Sequence, residues 1–200
     1  INNLEKLILV DQRFDESQYY LGFIYEQLEE MEKSIKHYRE VRIGTNNFLA
    51  AQQQATRHAI DLGQLDEAHS WLIRQSSGQP RLEILFTTIE SNLLIQSGYI
   101  TEAKTLLDSS LNRFPNESEL LFARVLYYDF QGDKAGSERD LQQIIRMQPE
   151  DSRALNHLGY MLADQTNRFE EALKLIERAI AISPDDPAII DSLAWAQYKL

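Results

Sequence analysis

Four prolines set the frame of this chain. Pro80, Pro115, Pro149 and Pro184 are separated by 35, 34 and 35 residues, and a recurrence of that length marks a supersecondary unit stacked on copies of itself. With each proline placed at position 32 of a 34-residue frame, side-chain size recurs in step. Position 20 reads Ser34, Ala68, Ala103, Ser137 and Ala172, all small, with one extra residue in the loop before Ala172. Position 24 reads Leu4, Tyr38, Leu72, Leu107, Leu141 and Ile176, all large and apolar. Position 8, read as Gly22, Thr56, Ser91, Val125, Gly159 and Ala194, is mostly small. Small residues suit places where two backbones approach, and bulky ones suit the spaces left between them. The pattern predicts helical hairpins with helix A around position 8 and helix B around positions 20 and 24.

Full units then cover residues 15–48, 49–82, 84–117, 118–151 and 152–186, flanked by a lone helix B at 1–14 and a lone helix A at 187–200. Asp186 before Pro187 reads as an N-cap followed by proline at the first helical position, and Asp151 and Asp15 are expected to cap in the same way. Gly63, Gly98 and Gly132 fall at position 15, where a left-handed residue can end helix A. Asn116-Glu117-Ser118 matches a glycosylation sequon but reads better as a loop-to-helix cap. The frame is broken by Gln12 and Asn46 at position 32, by Glu90 and Arg124 at position 7, where an apolar residue is usual, and by Gln197 at position 11. Leu4, Leu7, Trp195 and Tyr198 do not resemble polar capping helices, so an excised piece of a longer array is expected, with open ends through which it could self-associate.

The spacing and the small-large lattice resemble the tetratricopeptide repeat along the whole chain. That resemblance implies an all-α solenoid, a right-handed superhelix of antiparallel helix pairs. It further implies that helix A positions 2, 5, 9 and 12 line a concave partner-binding face. Positions 5 and 9 are Tyr19 and Phe23, Gln53 and Arg57, Thr88 and Asn92, Phe122 and Leu126, Asn156 and Tyr160, and Asp191 and Trp195. Aromatic groups there are not needed by the hairpin core and suit partner anchors, although Phe122, Leu126 and Tyr160 could equally pack between adjacent A helices. Tyr25, Tyr38 and Tyr128 are read as core, and Tyr20 is left open. The carboxylate clamp of co-chaperone repeats needs lysine at position 5 and asparagine at position 9; no position 5 is lysine and only Asn92 fits, so that clamp is absent.

Charge and chemistry narrow the function. A formal charge of −11 disfavours nucleic acid and anionic membrane surfaces. No apolar run approaches the ~18 residues of a membrane span. With no cysteine, disulfides and thiolate chemistry are excluded. His37, His58, His69 and His157 lack metal-ligand spacing. His58 and Asp61 can share a helix face, a pairing expected to be a surface hydrogen bond, and runs such as Glu26-Gln27-Leu28-Glu29-Glu30 read as solvated. No phosphate-cradling loop or nucleophile elbow is present. The expectation is a non-catalytic interaction scaffold with no cofactor and no metal.

Three stretches, "YYLGFIYEQLEEMEKSIKHYREV", "ALNHLGYMLADQTNRFEEALKLIERAI" and "SPDDPAIIDSLAWAQYKL", are similar to the long tetratricopeptide lipoproteins of Gram-negative proteobacteria. That similarity implies a periplasmic scaffold tethered to the outer membrane, one branch of which binds a carboxyl-terminal processing protease and brings cell-wall hydrolases to it. The lipid-bearing cysteine would lie upstream of Ile1, where a signal or anchor could have been removed. Other readings are a cytosolic assembly adaptor and a polysaccharide-export or carbohydrate-handling helical protein.

Overall fold

The structure, a computed structural model, describes residues 1, 3, 6 and 14–200. The expectations for the first half-unit, carried by Leu4, Leu7 and Gln12, lie outside the described residues. Among the described residues the chain is all-helical: α1 Phe14–Gln27, α2 Met31–Arg39, α3 Phe48–Asp61, α4 Leu65–Ser76, α5 Pro80–Gln96, α6 Ile100–Arg113, α7 Ser118–Gln131, α8 Lys134–Met147, α9 Ser152–Gln165, α10 Phe169–Ile182 and α11 Pro187–Lys199. They fall into two compact units, residues 1–103 and 104–200.

In the first unit α1 packs on α2, α2 on α3, α3 on α4, α4 on α5, and α3 also on α5. The second unit repeats the scheme, with α7 on α8, α8 on α9, α9 on α10, α10 on α11, and α9 on α11. Each packs successive hairpins so that A helices also meet. The sequence of α9 explains its double role: Ala154, Leu155, Leu158, Gly159, Met161, Leu162 and Ala163 are all buried, a broad face that serves two neighbours. Helix α10 buries the narrower stripe Ala172, Ile176 and Ala179, at i, i+4 and i+7, the spacing of one helix face.

The lattice has a direct steric basis. Every described residue at positions 20 and 24 is buried. A methyl on Gly159 would lie 2.6 Å from Ile176 Cγ1 and 3.0 Å from the Ala172 carbonyl oxygen, and one on Gly22 would lie 2.6 Å from the Tyr38 ring. Positions 8, 20 and 24 therefore meet. Where position 20 is serine the contact gains a hydrogen bond: Ser34 donates to the Gly22 carbonyl at 2.8 Å and Ser137 to the Val125 carbonyl at 3.4 Å. Ala194 is the exception and is exposed, since residues 187–200 contain no helix B to cover it.

Helix ends hold further corrections. Asp186 and Asp151 accept from the backbone of Ala188 and Ala154, each at 2.9 Å, as expected of N-caps. Asp15 instead lies inside α1 and accepts from the Arg42 backbone at 2.7 Å and from its guanidinium; it ties the α2–α3 loop to α1. Against the burial that raises it, those bonds hold its carboxyl below the usual range. Glu117 is the N-cap of α7 with no side-chain capping bond, so the sequon does not supply the cap. Pro80 opens α5 at its first turn, and the helix starts four residues before the unit boundary at 84. Gly63, Gly98 and Gly132 do adopt positive φ, and Glu29 takes the same conformation at φ 59°.

Candidate partner-binding surface

None of the twelve residues singled out on the A helices is buried. Phe23, Gln53, Leu126, Tyr160 and Asp191 are exposed; Tyr19, Arg57, Thr88, Asn92, Phe122, Asn156 and Trp195 are half-buried. Within the first unit Tyr19 has its ring 5.6 Å from that of Tyr38 and 5.9 Å from that of Tyr20. Tyr20 is itself exposed, which resolves the position left open. Tyr38 is buried, and Tyr25 and Tyr128 are half-buried. Tyr25 stacks on His37, and Tyr128 lies against Gly136.

The second unit brings five of the twelve together. A cleft of about 350 Å³ is lined by Phe122, Asn156, Tyr160 and Asp191 together with Arg153 and Ile189. A second hollow of about 310 Å³ shares Tyr160 and Asp191 and adds Ala194 and Trp195. Spacing achieves this: residues four apart on α9 and on α11 repeat on one face, and α9 packs beside α11.

The cationic groups of this cleft are already paired off. Arg153 lies 4.4 Å from the Phe122 ring centre and reaches Glu119 at 2.9 and 3.3 Å. His157 is edge-on to Phe122, with ring centres 5.5 Å apart, and its Nε2 is 2.6 Å from Asp129 Oδ2. Against the burial that raises it, hydrogen bonds from His157 and Ser137 hold the Asp129 carboxyl below its usual range. Phe122 thus both packs against the next A helix and lines the cleft. Arg153 stands at position 2, one of the positions implied to line the face though not carried over residue by residue, whereas His157 stands at position 6, and only the neighbouring helix reveals that it belongs here. Asn156 Oδ1 and Trp195 Nε1 are buried without a hydrogen-bond partner.

The polar groups away from the cleft are structural. His58 is buried with Nε2 3.4 Å from Glu26, while Asp61 accepts from Ser97 at 3.1 Å; the expected His58–Asp61 pair does not form because the imidazole turns inward to α1. Glu26 is therefore not a purely solvated carboxylate, for it also accepts from the Tyr38 hydroxyl at 2.9 Å. Burial, and then that bond, push the Tyr38 phenol above its usual range. The two irregular residues at position 7 are answered similarly. Glu90, buried, meets His69 Nδ1 at 3.0 Å, and Arg124 forks onto Asp140 at 2.7 and 3.0 Å and reaches Asp108 at 3.3 Å. Among the described residues no three His, Cys, Asp or Glu side chains converge as a metal site, and no helix is long and apolar enough to cross a membrane.

Comparison with known proteins agrees with this packing. Family models described as tetratricopeptide repeat match residues 122–187 and 15–41. The TPR repeat-containing protein PA4667 of Pseudomonas aeruginosa is 35% identical over 185 residues, covering 92% of this chain, while the chain spans 31% of that protein's length. Among solved structures, TTC0263, a thermophilic TPR protein of Thermus thermophilus, superimposes with a TM-score of 0.58 at 17% identity, covering 92% of this chain and 99% of its own. A tetratricopeptide repeat protein of Parabacteroides merdae gives a TM-score of 0.57 at 15% identity, covering 92% of this chain and 73% of its own. YrrB, described as a TPR protein with an unusual peptide-binding site, gives 0.52 at 17% identity, covering 94% of this chain and 96% of its own. The chain thus carries tetratricopeptide repeats at residues 15–41 and 122–187 and shares the helical-repeat fold of these structures, a repeat whose proteins generally mediate protein–protein interactions.

Proposed function

We propose that this chain is a non-catalytic scaffold that binds a protein partner through the A-helix faces, in the periplasm of a Gram-negative bacterium. The observation that carries this reading is the presence of exposed aromatic side chains, Phe23 and Tyr160 foremost, at A-helix positions that the hairpin contacts do not use. Large rigid side chains left in solvent at low entropy cost are what interface anchors are made of. YrrB, which shares this fold and is described as having an unusual peptide-binding site, supports a peptide segment as the form of ligand. Compartment and partner class rest on the resemblance to envelope lipoproteins and on the relative in Pseudomonas aeruginosa, a Gram-negative organism: the partner is a periplasmic protease or a cell-wall enzyme, and the chain is part of a longer, lipid-tethered protein.

The test is capture of proteins from a periplasmic extract on the immobilised chain, followed by mass spectrometry. Recovery of a protease or cell-wall hydrolase at stoichiometric level is expected. The double variant Phe23→Ala, Tyr160→Ala should lose at least tenfold in affinity for the captured protein with unchanged helicity by circular dichroism. Recovery of no envelope protein sinks the scaffold reading, and unaltered affinity of the variant moves the interface away from the A helices.

A further inference from the structure

The α9–α11 cleft holds an unequal remainder once its internal pairs are counted. Arg153 is engaged by Glu119 and by the Phe122 face, and His157 by Asp129. Lys199 lies 4.6 Å from the Trp195 ring centre. Asp186 is committed to the backbone of Ala188. Among the residues that line the cleft, what remains without a hydrogen bond, ion pair or ring contact is the buried Asn156 amide oxygen, one carboxylate, Asp191, and one aromatic side chain, Tyr160, which is 42% exposed; only the last two are open to solvent. These two line both hollows. The unmet demand is for a cation that can lie against an aromatic face while donating hydrogen bonds to a carboxylate, and the guanidinium plane does both. A chain of net charge −11 adds a long-range field of the same sign.

We infer that the cleft is the seat of an arginine side chain from an extended segment of the protein partner, held between the Tyr160 ring and the Asp191 carboxylate. This rests on the scaffold reading above and adds the partner's chemistry to it. The neighbours of the seat belong to the same logic: Ile189 and Phe122 line the cleft beside it and supply its apolar floor, while the Ser192 hydroxyl is held by the Ala188 carbonyl at 2.8 Å. An acidic side chain entering here would meet Asp191 and Asp186 with no free cation to answer them.

The test uses the whole chain and two fluorescein-labelled twelve-residue peptides of Gly, Ala and Ser with arginine at three alternate positions, one of them carrying citrulline, the neutral isostere, in place of each arginine. Fluorescence anisotropy should show the arginine peptide binding at least tenfold more tightly. Asp191→Asn and Tyr160→Ala should each remove most of that difference, whereas Glu177→Gln, an equal change of charge at an exposed residue of α10, should leave it. Equal affinity for the two peptides, or an equal loss in Glu177→Gln, overturns the inference. Envelope-protein capture that persists undiminished in Asp191→Asn overturns it too while leaving the scaffold reading standing; failure of the wild-type chain to capture any envelope protein is the separate outcome that removes that reading.

Discussion

A single hydrogen atom in place of a methyl group is what lets α9 lie on α10. Replacing Gly159 by alanine gains helix propensity of about 1 kcal/mol, but the new Cβ would stand 3.0 Å from a backbone oxygen that cannot rotate away, and overpacking costs about 1–3 kcal/mol. A net loss of about 1 kcal/mol is expected in urea denaturation. A stabilised Gly159→Ala would show that the contact relaxes freely. The His69–Glu90 pair gives a pH signature. Its hydrogen bond to Glu90 outweighs desolvation and raises the His69 pKa above 6.5. The stability it contributes is complete below the ordinary imidazole value and is lost as pH rises through the raised one. The difference in stability between the wild type and His69→Gln should therefore shrink over that upward titration, measured by denaturation at a series of pH values. A constant gap would mean that the pair contributes through packing alone.

Helix pairs depend on what meets across them. Arg124 on α7 answers Asp140 on α8, whose side chain is 1% exposed. Arg124→Ala strands a buried carboxylate, and the expected cost is about 3 kcal/mol. Arg124→Met with Asp140→Leu should recover most of it, read out by thermal or urea unfolding; if the double variant is no better than the single, the pair holds the hairpin together beyond its charge balance. At this scale the limits of sequence reading become physical. Positions 20 and 24 were legible because side-chain volume at a fixed spacing decides whether two helices can nest, and Ala172 and Ile176 carry that information by themselves. The pairs Glu90 with His69 and Arg124 with Asp140 were not, because a charge at position 7 looks like a defect until the facing helix supplies its counter-charge. Asp15 misled for the same reason: a carboxylate near a helix start can cap locally or reach a distant backbone, and only the loop at Arg42 decides between them. In the cleft, the tetratricopeptide resemblance indicated Phe122, Asn156, Tyr160, Asp191 and Trp195, but which of their neighbours were already committed to a partner was a property of α7, α9 and α11 together.

Taken as a whole, a chain whose units bury themselves against nearest neighbours should respond to damage locally. Gly159→Ala is expected to lower amide hydrogen-exchange protection in α9 to α11 while α1 to α4 exchange as in the wild type; a uniform loss across all helices would mean that the chain unfolds as one cooperative body. The same independence bears on how the chain accommodates a change of length. Where the turns after α3, α5 and α7 use a left-handed glycine, the turn after α9 is closed by Thr166, whose hydroxyl donates to the Leu162 carbonyl at 2.6 Å and accepts from the Arg168 backbone at 3.0 Å. The surplus residue is taken up there, and Ala172 and Ile176 still arrive opposite Gly159. Turns of this kind are thus the seams at which foreign sequence, such as a labelling tag, can be stitched in without throwing the following helix out of phase.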